Sequence, residues 1–425
     1  MRPAVRTRIL CSLTVLTGLW MTAPTLAQEK SGLSSYSIIG IGDLRYPSGP
    51  RSAGMGYTGL ALSSAVSVNP MAPATWWNAD RSRLEASVMF QGFNSTDGEI
   101  SRYMSKASFY GAYLAIPLST SEGIVFVGGF TPYSTVNYNT YTAGASPVPG
   151  GEFSYNVEQT GTGTLGRGFL GFSYRPFSHL SLGAMFNYHF GMFDRTLAQH
   201  SDTVGFYDGT ITESARTHGS TFTFGALVMG LDFLSESLRR FSVGAQLTTT
   251  GNLSTTTQSS YDYVTSRDTS IESTVNFKLP LTYGIGLGYQ PADRIVLAAD
   301  YYAQPWSTAK FGETPIANVG DMFRTGVGVE FVGATEPNAP FLDRTSYRLG
   351  ASYSKTYYDV SGQHIKEWCV TGGLSIPLRG ENRIVVAFEY GKRGTLANQL
   401  ILDTIYRASF SISISELWFL RPDEE

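Results

Sequence analysis

The side chains that could do chemistry in this sequence are few and widely spaced. The five histidines are His179, His189, His200, His218 and His364, and none belongs to a zinc-binding His-Glu-x-x-His pattern. No Gly-x-Ser-x-Gly surrounds a plausible nucleophile, and the histidines and two cysteines lack the spacing of metal ligands. The sequence therefore predicts no enzyme, no metal and no cofactor. A lone serine opposite a lone histidine is the one catalytic arrangement that it leaves open.

The chain contains fewer charged residues than the surface of a soluble protein usually carries. Only 15% of the 425 residues are charged, against about a quarter in a typical soluble domain. Hydrophobic residues make up 42% of the chain, aromatic residues 13%, and 46 residues are glycine. So much apolar content at a net charge of −3 argues against disorder, and the weakly negative charge argues against a nucleic-acid partner. The composition predicts a membrane β-barrel.

Residues 1–27 have the three parts of a secretory signal peptide. Arg2, Arg6 and Arg8 form a basic start, Ile9–Trp20 is mostly apolar, and Thr25–Ala27 offers a small-residue cleavage site. An uncleaved signal anchor is the alternative, and the short apolar region argues against it. We therefore expect export from the cytoplasm of a Gram-negative cell.

Cleavage after residue 27 changes the charge and the cysteine count of the chain. The removed segment holds three arginines and no acid, so the net charge goes from −3 to −6. It also takes away Cys11 and leaves Cys369 as the single cysteine. An intrachain disulfide is therefore not possible in the mature chain.

Beyond the signal peptide, bulky and small residues alternate with a period of two. No further run of about 20 apolar residues occurs, so no helical membrane span is expected. In residues 383–392, Phe388 and Tyr390 share one face, whereas Ala387 and Gly391 lie on the other. A bulky outer face opposite small and polar residues is typical of a strand with lipid outside and a polar lumen inside. The lipid-facing residues predicted in this way include Trp368, Val370, Phe388, Tyr390 and Ile412, and Cys369 is predicted to face the lumen.

A loose repeat marks the turns at one end of the predicted barrel. Proline-containing strand ends followed by new alternating strands occur near 116–124, 174–180, 289–295 and 376–384. The connections between these units are longer and polar, as at 137–161, 198–218 and 257–270, and are predicted to be outer loops. The resulting strands lie at roughly 84–94, 102–117, 122–136, 164–176, 179–194, 217–234, 240–256, 271–290, 293–309, 321–333, 344–357, 364–378, 382–394 and 401–419. The fold class is therefore all-β, an antiparallel transmembrane barrel of about 14 strands.

The segment before the first strand differs from the rest of the chain. Residues 28–80 are rich in glycine and proline and alternate only weakly. A barrel of about 14 strands leaves a lumen too wide for wall side chains to fill, because barrels of 16 to 18 strands hold an aqueous channel. We therefore predict that residues 28–80 form a luminal plug, called the hatch, inside a barrel of residues 81–420, followed by a polar tail at 421–425.

Four ionisable residues fall on the predicted inner face. Asp300 and Glu389 occupy matching places in two related strands, and Arg324 and Glu330 alternate with glycines. Water or polar groups of the hatch can pair such side chains in the lumen, and a place at the membrane interface is the alternative. We predict pairing between hatch and wall rather than direct ligand binding.

Four short stretches resemble the FadL-type long-chain fatty acid and hydrocarbon transporters of the Gram-negative outer membrane, most closely their Bacteroidetes-type relatives. They are Tyr36–Leu44, Arg51–Gly59, Ser67–Ala74 and Leu279–Gly286. Tyr57 stands where glycine is common in the family, and Ala72 replaces an asparagine in the second copy of an Asn-Pro element. The resemblance implies the following hatch or gating residues: Gly40, Gly42, Asp43, Gly54, Gly56, Gly59, Asn69 and Pro70.

The resemblance also implies a function. In that family a hydrophobic ligand enters from the outer loops, reaches an apolar pocket, and leaves through a lateral gap when the hatch moves. It implies passive transport of a hydrophobic small molecule. We also expect outer-membrane lipids and the barrel-assembly machinery as partners, and the oligomeric state stays open, with a monomer favoured. A hatch that only packs as a static plug fits the same residues. The alternative function is that of an interaction protein, because some FadL-shaped barrels bind substrates of secretion systems.

Overall fold

The structure is a computed structural model that describes residues 33–417 apart from 47, 149–150, 202–207, 264–265, 270–271, 337 and 361. The side chains of 146–153, 263, 266–267 and 269 are also outside the description. The predicted signal peptide at 1–27 and polar tail at 421–425 lie outside the described residues, as do hatch residues 28–32.

Fourteen antiparallel strands form a closed barrel, which confirms the predicted fold class. They are β1 Ser82–Thr96, β2 Ser101–Ser119, β3 Ile124–Val148, β4 Gly151–Phe177, β5 Leu180–Ser201, β6 Gly209–Met229, β7 Phe241–Thr248 with Gly251–Tyr263, β8 Ser273–Leu279 with Thr282–Ala292, β9 Ile295–Gln304 with Lys310–Phe311, β10 Met322–Phe331, β11 Ser346–Val360, β12 Gln363–Pro377, β13 Arg383–Gly394 and β14 Leu402–Glu416. Strand β14 pairs with β1 from Ser82 opposite Glu416 to Thr96 opposite Leu402, which closes the wall. Two short pieces, Ser266–Thr269 and Thr314–Pro315, fold back on β7 and on the end of β9.

Helical segments in the described chain are short. They are the α-helices α1 Gly49–Ala53 and α2 Phe341–Arg344, and the 3₁₀ turns Ser35–Ile38, Pro73–Asn78, Leu231–Phe233, Glu236–Leu238, Trp306–Thr308 and Ala397–Gln399. Across the described residues, we find no helix with the length and apolar character needed to cross a membrane.

The predicted alternation matches the exposure of the side chains. Trp368, Val370 and Phe388 are 42%, 49% and 56% exposed on the outer surface, whereas Cys369 is 2% exposed. Along these strands the bulky side chains point outward, and the inward positions hold small or paired polar groups where the hatch lies against the wall. The register predicted for these strands is therefore correct.

Exposed aromatic side chains form two bands on the outer surface, each across part of the circumference. One band includes Tyr301, Tyr353, Trp368, Tyr390 and Tyr406, and the other includes Phe172, Tyr174, Phe331 and Tyr347. Such girdles mark the two membrane–water interfaces of an outer-membrane barrel, with an apolar band between them. We call the end with the second band, where β1 begins and β14 ends, the inner end, and the opposite end the outer end.

The two ends of the barrel differ in a way that corrects part of the sequence prediction. The proline-marked turns do lie together at the inner end, but this end also carries the long connections 230–240 and 332–345. The predicted outer loop at 137–161 is largely strand, because β3 continues to Val148 and β4 begins at Gly151. Polar pairs such as Ser214 Oγ to Asp194 Oδ1 at 2.6 Å stabilise the neighbouring strands β5 and β6 beyond the membrane. The strands, rather than loops, therefore build the outer projection.

Strand β9 does not continue to residue 309 as the alternation predicted. It stops at Gln304, and the chain turns so that Trp306 is fully buried against Tyr357, with ring centroids 4.4 Å apart. Only Lys310–Phe311 returns to pair with β8. The departure places an aromatic side chain in the outer half of the core that surrounds the hatch.

Candidate functional site

The hatch residues lie against the inner wall of the barrel. The two-residue strand Asp43–Leu44 pairs antiparallel with Thr135 and Ser134 of β3. Farther along, the backbone at 54–61 approaches glycines on the wall so closely that a Cβ on any of them would collide with it: Gly244, Gly326, Gly328 and Gly350. Glycine-rich inner faces therefore serve the seating of the hatch.

The glycines predicted as hatch residues have two separate roles. Gly40, Gly42 and Gly56 have φ of +57°, +82° and +66°, a region that favours glycine. Gly54 has an ordinary helical conformation and instead faces Gly373 of β12, where a Cβ would lie 3.0 Å from its Cα. Gly59, with φ of +154°, lies against the side chains of Ser52 and Asn69. Tyr57, which replaces a glycine common in the resembled family, also has a positive φ of 67°.

A chain of buried ionic contacts starts and ends in the hatch. Asp43 Oδ1 accepts from Arg393 Nη1 at 2.6 Å, and Arg393 Nε donates to Glu367 Oε2 at 2.6 Å. Arg407 Nη1 then bridges Glu367 and Glu389 at 3.2 and 3.3 Å. Each carboxylate in this chain has at least one guanidinium, so the charges are buried in pairs.

Tyr57 completes this chain on the hatch side. Its hydroxyl donates to Glu389 Oε1 at 2.5 Å. Burial, followed by the nearby Glu389 carboxylate, raises the pKa of Tyr57 well above its ordinary value, so the phenol stays protonated as a donor. Glu389, predicted to line the lumen, therefore contacts the hatch.

Glu330 forms a second connection between the hatch and the wall. It binds Arg51 of the hatch and Arg348 of β11, each at 2.6 Å from guanidinium nitrogen to carboxylate oxygen. The carboxylate is almost fully buried, and the Arg51 side chain is 17% exposed. One buried acid therefore joins two cations that would otherwise repel one another.

Asp300 and Asn69 hold backbone rather than charges. Asp300 Oδ2 accepts from the amides of Gly59 and Leu60 at 2.7 and 2.9 Å. Asn69 Oδ1 accepts from the amide of Met71 at 3.0 Å, which is the side-chain-to-backbone bond expected of an Asn-Pro turn. The carbonyl of the intervening Pro70 accepts from Arg167 of β4 at 3.3 Å. These contacts set the path of the hatch where it turns.

Arg324 lies between two aromatic rings of the hatch. Its guanidinium carbon is 4.2 Å from the ring centre of Tyr46 and 3.6 Å from that of Tyr57. Its Nη2 donates to Ser352 Oγ of β11 at 3.2 Å. All four predicted luminal residues thus contact hatch residues, while the roles assigned to them remain predictions.

A large cavity lies at the outer end, between the hatch and the wall. It has a volume of about 440 Å³. Its apolar lining includes Ile38, Ile39 and Ile41 of the hatch with Phe193 and Phe277 of the wall, and its charged lining is Arg195 and Glu213. Three cavities deeper in the lumen are much smaller, at about 30 to 40 Å³. Of these four cavities in the described part of the chain, the outer one has room for an organic ligand.

The histidines do not form a site together in the described chain. His189 is buried with its Nε2 3.1 Å from Thr221 Oγ1, and His364 Nε2 lies 3.4 Å from Asp359 Oδ2. Among the residues that the structure describes, no group of three or more histidine, cysteine or acidic side chains is arranged to hold a metal ion.

Sequence reasoning missed Glu367, Arg393 and Arg407 as luminal groups. The signal was present, because Glu367 is in phase with the inward Cys369, and Arg393 is in phase with Glu389. Glu367 and Arg393 are buried and the Arg407 side chain is 9% exposed, although each lies in a strand whose bulky residues face outward.

Comparisons with known proteins agree on the fold. A family model described as BamG matches residues 9–423. No curated protein matches the chain. Among solved structures, the CymD monoaromatic hydrocarbon channel is similar with a TM-score of 0.58 and 13% identity, over 87% of this chain and 97% of that one.

Two further solved structures have the same architecture. The toluene transporter TbuX of Ralstonia pickettii has a TM-score of 0.55 and 16% identity, over 86% of this chain and 98% of its own. A FadL homologue of Pseudomonas aeruginosa has a TM-score of 0.55 and 12% identity, over 86% and 97%. At such identities the likeness shows a common fold, which extends over most of both chains.

Proposed function

This chain belongs to the BamG family, and we propose that it is an outer-membrane protein that binds a hydrophobic small molecule and lets it pass through the barrel. The outer cavity supports this proposal. The substrate class that we propose is a long-chain fatty acid or hydrocarbon. Structures described as toluene and monoaromatic hydrocarbon channels share the fold, which supports this class.

The outer cavity is the observation that carries this proposal. A volume of about 440 Å³ falls within the range of about 300 to 1,000 Å³ typical of small-molecule sites. Isoleucine and phenylalanine side chains supply the apolar lining, and the few polar groups, Arg195 among them, can orient a ligand. Arg195 also donates to the carbonyl of Gly40 at 2.6 Å, so a ligand in the cavity would contact both the hatch and the residue that braces it.

Filling the cavity tests the proposal. Ala215 of β6 lines the cavity, whereas Ala245 of β7 is exposed on the lipid face. We expect Ala215→Phe to reduce uptake of a long-chain fatty acid and of toluene by a strain that lacks its own transporter, and Ala245→Phe to leave uptake unchanged. Heat-modifiability of both variants on gels checks that the barrels are folded. Equal uptake by both variants, or no uptake by the unaltered protein, would contradict the proposal.

The outer projection favours a second candidate, an interaction protein. Strands β3 to β6 contain 25, 27, 22 and 21 residues, about twice the 9 to 11 that cross a bilayer. Such a projection offers an ordered polar surface outside the membrane for a protein such as a secretion substrate. Mass spectrometry after purification in mild detergent separates the two candidates: a bound lipid in the cavity supports transport, and a stoichiometric protein without lipid supports interaction.

A further inference from the structure

A second cavity lies deeper in the lumen, and its lining includes six charged side chains. It has a volume of about 40 Å³ and lies between the hatch at 43–46 and 57 and the wall strands β1, β2 and β10 to β14. Its ionisable lining, apart from tyrosines, consists of Asp43, Arg45, Arg324, Glu367, Arg393 and Arg407. The cavity is therefore a buried space surrounded by guanidinium groups.

The charges in the lining of this cavity do not balance. Four guanidinium groups face two carboxylates in the lining. Glu389, which binds Arg407, adds a third carboxylate just outside it. Asp403, also outside the lining, interacts with Arg393, so the two outer carboxylates serve Arg407 and Arg393 and leave Arg45 and Arg324 without an acidic partner among the described residues. An unpaired buried charge is costly, because neither water nor an opposite charge compensates it.

The excess charge can be assigned to particular side chains. Arg393 binds Asp43 and Glu367, and Arg407 binds Glu367 and Glu389, so these two cations have acidic partners. In the described part of the chain, neither Arg324 nor Arg45 forms an ion pair with a carboxylate. The Arg45 guanidinium instead donates to the neutral Gln91 Oε1 at 2.5 Å.

Arg324 presents free donors in the plane of its guanidinium. The rings of Tyr46 and Tyr57 lie near the guanidinium carbon, and Nη2 is taken by Ser352. Its Nε is buried, since the residue is only 7% exposed, and this atom has no hydrogen-bond partner among the described residues. Ring contacts attract a cation but do not neutralise it. An in-plane acceptor with negative charge would satisfy both needs.

We propose that this cavity binds a small monovalent inorganic anion such as chloride, held by Arg324 and Arg45 between the hatch and the wall. A volume of about 40 Å³ exceeds the roughly 10 to 15 Å³ that a water-sized occupant needs, and excludes a hydrocarbon chain. The anion contacts Arg45 of the hatch and Arg324 of β10 together, so it joins the hatch to the wall. Glu330 makes the same kind of connection through Arg51 and Arg348. The inference is independent of the proposed transport function.

Bromide substitution tests the site directly. Crystals of the mature barrel are soaked in sodium bromide, and anomalous diffraction is measured at the bromine edge. We expect a bromide peak within hydrogen-bond distance of Arg324, and its loss in Arg324→Gln. The exposed Arg216→Gln on β6 serves as the matched control and keeps the peak. A cavity without bromide in the unaltered protein overturns the proposal.

A solution measurement keeps the test independent of crystals and of the variant's folding. The melting temperature of the unaltered protein in detergent is compared in sodium chloride and sodium gluconate of equal ionic strength, because an anion that binds only the folded state stabilises it. We expect a higher melting temperature in chloride for the unaltered protein and Arg216→Gln, and no difference for Arg324→Gln. Equal melting temperatures for the unaltered protein, or a carboxylic acid found bound at Arg324, would overturn the assignment to an inorganic anion.

Discussion

Replacing Glu330 with glutamine should loosen the contact between the hatch and the wall. The carboxylate binds Arg51 of the hatch and Arg348 of the wall at 2.6 Å each, and the substitution leaves these two cations facing one another. Removing one partner of a buried ion pair costs about 3 to 5 kcal/mol. The 17% exposure of the Arg51 side chain lets water screen part of this cost and favours the lower end, about 3 kcal/mol.

This free energy predicts how often the pore opens, which a conductance measurement can detect. Because each 1.4 kcal/mol is about a factor of ten, roughly 3 kcal/mol raises the population with a displaced hatch about 100-fold. In planar lipid bilayers we expect brief open events to become about 100 times more frequent in Glu330→Gln than in the unaltered protein. The exposed Glu272→Gln is the matched control and should not change them.

A triple replacement tests whether the charges of Arg51, Glu330 and Arg348, or only the volume of these side chains, hold the hatch in place. Buried charge clusters can often be replaced by apolar residues of similar size without loss of stability. Arg51→Met, Glu330→Leu and Arg348→Met together should therefore bring the frequency of open events back toward that of the unaltered protein. If Glu330→Gln remains as closed as the control, the hatch does not depend on this contact and the reasoning is wrong.

Two further predictions concern close packing and register. Gly56→Ala should lower the melting temperature much more than Gly98→Ala, because both glycines have positive φ but a Cβ at Gly56 meets the carbonyl oxygen of Ala351, and one at Gly98 meets nothing within 4 Å. Equal shifts in thermal unfolding would mean that the backbone conformation, not the wall contact, sets the cost. Cys369, 2% exposed, should react slowly with a lipid-soluble maleimide, whereas a cysteine at Val370, 49% exposed, should react fast in a Cys369→Ser background. Rapid labelling of Cys369 from the bilayer would place it on the lipid face and contradict the register.

The sequence was sufficient for the parts of the fold that the membrane constrains. Within the bilayer, each strand must present bulky apolar residues to lipid and small or paired polar residues inward, so the alternation at Phe388 and Ala387 is clear. Strand number and the phase of residues such as Cys369 follow from that constraint. Proline at strand ends located the inner turns for a similar reason, because it cannot donate to the sheet.

Where the membrane ends, the alternation loses its meaning. In the outer part of β3, consecutive residues on both faces are exposed, as at Tyr141, Thr142 and Ala143, so the alternation disappears and the sequence there resembles a loop. The inward turn at Trp306 depends on a tertiary contact with Tyr357, about fifty residues away, and no local pattern announces it. The same holds for the ionic partners in the lumen: phase can place Arg393 inside the barrel, but only the closed structure shows that it binds Asp43.

The contacts between hatch and wall join the first described residues of the chain to its last strands. Asp43 and Arg393 are 350 residues apart, Tyr57 and Glu389 are 332 apart, and Ser34 and Asp403 are 369 apart. Contacts of such separation form late and make folding slow. Until β12 to β14 are in place, Asp43 of the hatch has no guanidinium to bind, and Tyr57 of the hatch cannot donate to Glu389. The closure of the wall and the sealing of the pore are thus one event, and a chain that stops short of β14 loses both.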